Sequence, residues 1–154
     1  MSVDYKELAL QLSAISRYVD RDVTILANAS ALLYDAMPDL NWCGFYINDY
    51  GCLYLGPFQG KIACTRIEFG KGVCGTAAAS GKTIRVEDVH CFDGHIACDS
   101  ASNSEIVVPI FLNSEIYGVL DIDSPLLNRF SEEDQAGLEL IVKVIEKNLS
   151  GIMM

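Results

Sequence analysis

Six cysteines, at positions 43, 52, 64, 74, 91 and 98, are the most reactive side chains this 154-residue chain offers. Cys43 and Cys52 sit inside the apolar runs WCGFYI and CLYLGPF, where a free thiol behaves as a small buried hydrophobe. Cys64, Cys74 and Cys98 differ, because KIACTR, GVCGT and HIACDS are small or polar settings outside those runs, where reactive groups gather. His90, Cys91, His95 and Cys98 bring four plausible zinc ligands within nine residues, but no CxxC pairing accompanies them, so no metal is expected. GKGVCG carries glycines at 70, 72 and 75, yet it opens only a short helix and follows no strand pattern typical of a phosphate-binding loop. No cofactor is expected.

Carboxylates supply the second half of the chemistry. In EIYGVLDID, alternation puts Ile116, Gly118, Leu120 and Ile122 on one face of a strand and Glu115, Tyr117, Val119, Asp121 and Asp123 on the other. Taken alone, such a face is an ordinary solvated one. If the irregular connection from Glu87 to Ser104 roofs it, Asp121, Asp123 and the strand-opening Glu105 converge on the cysteines of that cover. Acids crowded out of water raise one another's pKa, so one serves as a proton donor near neutral pH while another binds a cation.

The elements that must position these groups are legible from periodicity. Val23, Leu26, Ala27, Ser30, Leu33, Tyr34 and Met37 recur at helical spacing, with Asp20 or Asp22 as a cap and Pro38 as a stop. Tyr5 to Tyr18 predicts a shorter leading helix, and Ser131 with Asp134 opens a final one lined by Leu138, Ile141, Val142, Ile145 and Leu149. Between them, WCGFYI and CLYLGPF form one hairpin and EIVVPIFL and EIYGVLDID another, with a short strand TIRV before it and a small helix near Val73 to Ala79. Pro109 calls for a bulge or an edge position. The resulting class is α+β: a single domain over 1–154, a central mostly antiparallel sheet, terminal helices on one face and a loop-covered pocket on the other.

Composition narrows the function classes. With 21 acidic against 11 basic residues the net charge is −10, and the basic residues are scattered, which argues against nucleic acid as a partner. Hydrophobic types make up 51%, ample for one packed core. The apolar stretch Ile106 to Leu112 falls well short of the roughly 20 residues that cross a bilayer, and MSVDYKELAL lacks the features of a signal peptide. A cytoplasmic protein is therefore expected, in which cysteines serve redox chemistry better than permanent cross-links.

The segments NWCGFY, LGPFQGKIAC, GVCGTA, VHCFDGHIACDSASNSEIVVP and GVLDIDS closely resemble the free methionine-(R)-sulfoxide reductases, which are single GAF domains. The likeness runs from about Arg21 to Glu146. It implies a thiol-dependent reductase acting on free methionine (R)-sulfoxide, with thioredoxin as reductant and a homodimeric assembly. It also implies Cys98 as nucleophile, Cys64 as resolving thiol and Cys74 as a further redox-active cysteine. The family's pocket acids fall on Glu105, Asp121 and Asp123, the same carboxylates that alternation selects, and its substrate-packing aromatic falls on Trp42. The rival readings are a small-molecule sensor of the same fold and a thiol-based oxidant sensor, and neither requires stereospecific turnover of a sulfoxide.

Overall fold

The computed structural model describes residues 2–94 and 101–154. Four helices and six strands follow in the order α1 (Tyr5–Ser16), α2 (Asp22–Ala36), β1 (Trp42–Asp49), β2 (Cys52–Gly60), β3 (Arg66–Glu68), α3 (Gly72–Ser80), β4 (Ile84–Val86), β5 (Ser104–Leu112), β6 (Glu115–Ser124) and α4 (Glu132–Asn148). The strands form one sheet in the order β3-β2-β1-β6-β5-β4, and every pairing is antiparallel. The α+β class read from the sequence is the observed one. No helix among the described residues is long and apolar enough to cross a membrane.

Both long hairpins close through residues that tolerate positive φ. Tyr50 and Gly51 at 52° and 86° join β1 to β2, and Asn113 and Ser114 at 54° and 66° join β5 to β6, matching the twist of the flanking strands. Pro109 sits in β5 beyond the reach of β4, which pairs only with Glu105, Ile106 and Val107, so its missing N–H costs no ladder bond on that side. The adjacent pairing slips between Ile110 and Phe111. Of the two alternatives for that proline, the locally unpaired edge is the one it occupies, and the irregularity follows it.

The sheet separates two cores. On one face α1, α2 and α4 bury Leu12, Leu26, Leu33, Leu138, Ile141 and Ile145 against Phe45, Ile106, Leu120 and Ile122; each such side chain contributes about 1.5–3 kcal/mol by leaving water. The other face packs Trp42, Tyr46, Val107 and Val119 against α3 and the connections around it. The terminal helices therefore lie where the sequence placed them.

Two local expectations are corrected. Neither Asp20 nor Asp22 caps α2: Arg21 occupies the cap, and Asp22 lies fully buried in the first turn. There it accepts from the backbone N–H groups of Ser150 and Gly151 and from the Tyr117 hydroxyl, tying the end of the chain to the helix. The slip in the β5–β6 pairing also breaks the alternation of β6, since Ile110 pairs with Gly118 and Phe111 with Ile116, which leaves Tyr117 without an opposite number. Tyr117 turns to the helix face while Ile116 joins the pocket face, so the shared face begins at Val119. Strand β3 carried no sequence signal, being only three residues, RIE, with a single buried side chain. At the other end of the chain, by contrast, α4 opens on the expected capping box of Ser131 and Asp134.

Candidate active site

The register of three strands assembles the site. Trp42 of β1 pairs with Asp123 of β6, which pairs with Glu105 of β5; one step along, Gly44 lies opposite Asp121, which pairs with Val107. Side chains at every second position share a face, so Trp42, Tyr46, Glu105, Asp121 and Asp123 all project away from the three long helices. They line a cavity of about 40 Å³ together with Cys74, Lys71 and Ser102. Cys74 enters it from the first turn of α3.

Two aromatic side chains of β1 build most of the described roof. The Trp42 indole donates to the Lys61 carbonyl at 3.1 Å, and the Tyr46 hydroxyl donates to the Cys64 carbonyl at 2.9 Å. The β2–β3 connection is thereby pinned across the pocket face, and its Ile62 and Ala63 line the cavity. This corrects the expectation that the connection from Glu87 to Ser104 alone forms the cover. Of that connection, Ser102 reaches the cavity and receives a hydrogen bond from the Asn41 side-chain amide at 3.0 Å. Trp42 itself is held by stacking on Phe58, with ring centroids 5.1 Å apart, and on Tyr46 at 5.9 Å.

Electrostatics in the pocket run one way. Glu105 is 6% exposed, and burial, then the charges of Asp121 and Asp123, push its carboxyl well above the usual range. The same causes, burial first and then the neighbouring acids, raise the Cys74 thiol. Tyr46 is raised likewise, so its phenol stays protonated and a donor. Of the three, Glu105 holds a proton that water near neutral pH would remove.

The predicted cysteines divide clearly. Cys64 is half-buried and disulfide-bonded, whereas Cys43, Cys52, Cys74 and Cys91 are free. Cys43 and Cys52 are buried in the sheet as expected. Cys74 is buried too, at 4% exposure, on the short helix expected near Val73 to Ala79. Cys98 and His95 lie outside the described residues. Of the four-residue zinc candidate, His90 contacts Asn103 and Cys91 contacts Asp88. A different set could hold a cation: donor atoms of Cys74, Glu105 and Asp121 all lie within 4.8 Å of one another.

Sequence reasoning missed Tyr46, Lys71 and Ser102 as lining residues. Tyr46 could have been found, since it follows Trp42 by four positions on the same strand face. Lys71 and Ser102 depend on how α3 and the connection before β5 dock, which no local pattern encodes.

A GAF-domain family model matches residues 17–149. The free methionine-R-sulfoxide reductase of Escherichia coli (strain K12) is 53% identical over 146 residues, covering 95% of this chain and 88% of the relative. That of Saccharomyces cerevisiae is 44% identical over 151 residues, covering 93% and 84%. The fRMsr of Staphylococcus aureus, solved in complex with substrate, is similar at a TM-score of 0.93 and 49% identity over 97% of this chain and 98% of that one.

Proposed function

The chain belongs to the GAF-domain family and, within it, to the free methionine-R-sulfoxide reductases, and from that premise we propose how its pocket reduces free methionine (R)-sulfoxide. The observation that carries the reading is the convergence of Trp42, Glu105, Asp121 and Asp123 on one cavity.

In this reading the Cys98 thiolate attacks the sulfoxide sulfur while Glu105, kept protonated by burial and by the two aspartates, donates to the oxygen. A sulfur–sulfur bond forms; the protonated oxygen then passes from the methionine sulfur to the Cys98 sulfur as the sulfur–oxygen bond and the new sulfur–sulfur bond break, so methionine leaves and Cys98 is left as a sulfenic acid. The Cys64 thiol then attacks that sulfur, water departs, and a Cys64–Cys98 disulfide forms. The disulfide-bonded state of Cys64 supports its resolving role. Cys98 is preferred to Cys74 as attacker because Cys74 is buried against carboxylates, which disfavour the thiolate that attack requires. Trp42 packs against the substrate's methyl group, and the aspartates take its ammonium group.

An external dithiol, thioredoxin, restores both thiols by exchange through a mixed disulfide. Homodimeric assembly belongs to the same proposal, supported by apolar side chains left in solvent at Leu10 and Ile15 of α1 and Leu140 of α4. The test is turnover of the separate R and S sulfoxides with thioredoxin as reductant. The R epimer is consumed and the S epimer is not; no turnover of either, or equal turnover of both, would discard the reading.

A further inference from the structure

Cys74 has no step in the reaction proposed above, yet it sits in the middle of the pocket. Its Sγ, a Glu105 carboxylate oxygen and an Asp121 carboxylate oxygen lie within 4.8 Å of one another, and all three residues are buried. They come from three separate elements, α3, β5 and β6, so the grouping is a product of tertiary docking and not of sequence proximity. Two ligands on one tetrahedral Zn²⁺, with bonds of about 2.0–2.3 Å, stand about 3.3–3.8 Å apart, so side-chain rotation of roughly 1 Å closes the set. The cavity these residues line, about 40 Å³, exceeds the roughly 10–15 Å³ that a single water needs, and a bare divalent ion is smaller than water.

We propose that Cys74, Glu105 and Asp121 form a binding site for a borderline-soft divalent cation, with Zn²⁺ as the natural occupant, and that occupancy excludes substrate. The donor set selects the metal class. A thiolate with two carboxylates suits Zn²⁺, Co²⁺ or Cd²⁺, whereas Mg²⁺ and Ca²⁺ take oxygen alone. Binding displaces the Cys74 thiol proton and the Glu105 carboxyl proton to solvent and forms a sulfur–metal bond, with no change of oxidation state. Asp123, paired with Glu105 across β5 and β6, lines the same cavity. The binding claim is independent of the proposed activity; the exclusion claim rests on it, since it assumes that substrate occupies the same carboxylates.

Co²⁺ is the probe, added to the full chain reduced with a phosphine. The expected result is a one-to-one complex with a near-ultraviolet sulfur-to-cobalt charge-transfer band that Zn²⁺ bleaches. The band persists in a Cys64→Ser, Cys98→Ser protein and in Cys91→Ser. It disappears in Cys74→Ser, and affinity falls at least about tenfold in Glu105→Gln, whose shape is conserved and which keeps the test decisive if Cys74→Ser fails to fold. No band, a band unchanged in both Cys74→Ser and Glu105→Gln, or a band lost with Cys64 and Cys98 would overturn the site. With the metal bound as described, Zn²⁺ raises KM for methionine (R)-sulfoxide without lowering kcat. A cobalt complex that needs Cys74 but does not compete with the sulfoxide would keep the metal site and remove the substrate from between these carboxylates.

Discussion

Replacing Glu105 with Gln separates the proton that this residue supplies from the space it fills. The amide keeps the side chain's length and still donates hydrogen bonds toward Asp121 and Asp123, but it has no acidic proton. Loss of a positioned general acid slows such reactions about 10²–10⁴-fold, which at 1.36 kcal/mol per tenfold adds about 2.7–5.5 kcal/mol to the barrier. Stability should move the other way. Glu105 is an acid whose folded-state pKa is raised, first by burial and then by Asp121 and Asp123. The folded state therefore holds a proton that the unfolded chain releases above about pH 4.3, and wild-type stability falls as pH rises from there toward the folded pKa. Glu105→Gln has no such group, so it is the more stable protein at pH 7 and converges with wild type below about pH 4. Single-turnover kinetics and urea denaturation at both pH values, in EDTA, measure the two effects. A rate within about threefold of wild type would remove Glu105 as the acid, and a stability difference that persists unchanged into acid would refute the electrostatic account.

Other elements make further predictions. Gly118→Ala drives a methyl carbon into the Tyr46 carbonyl oxygen, forcing β1 and β6 apart; we expect about 1–3 kcal/mol of destabilisation by thermal melting, with a raised KM because β1 carries Trp42 and Tyr46. Tyr46→Phe removes the hydrogen bond to the Cys64 carbonyl, costing about 1 kcal/mol and slowing disulfide closure relative to methionine release in rapid-quench thiol counting. Asp134→Ala loses the α4 capping box and the bonds from Tyr5 and Arg129, for about 1–3 kcal/mol at pH 7. Burial alone would raise the Asp134 pKa, but the Ser131 and Tyr5 hydrogen bonds and the Arg129 charge outweigh it, leaving the value lowered. Its contribution is thus complete above about pH 4 and disappears as pH falls through the depressed pKa, so the two denaturation curves should merge only in strong acid.

What the sequence conveyed depended on how local each determinant was. Helices α2 and α4 announced themselves because Leu26, Leu33, Leu138, Ile141 and Ile145 recur at the period of the face they bury. Asp121 and Asp123 were legible because strand alternation is a local rule, and it held until the slip at Tyr117. That slip is a property of the β5–β6 pairing, which neither strand encodes by itself. The share of the roof that comes from the β2–β3 connection is hidden for a similar reason: Lys61 and Cys64 are fixed by side chains of β1 nearly twenty positions away in sequence. Asp22 looked like a cap because aspartate favours that place, but the end of the chain competes for its carboxylate and wins by burying it.

The central claim is that one enclosed thiol–acid pocket converts free methionine (R)-sulfoxide while oxidising its own cysteines. Fully reduced protein, mixed with an equimolar amount of that sulfoxide and no external reductant, tests it most directly by peptide mass mapping and methionine analysis. One methionine is released per chain, two thiols are lost, and a Cys64–Cys98 cross-link appears that is absent from Cys98→Ser. Methionine formed without thiol loss, or formed equally by Cys98→Ser, would contradict it.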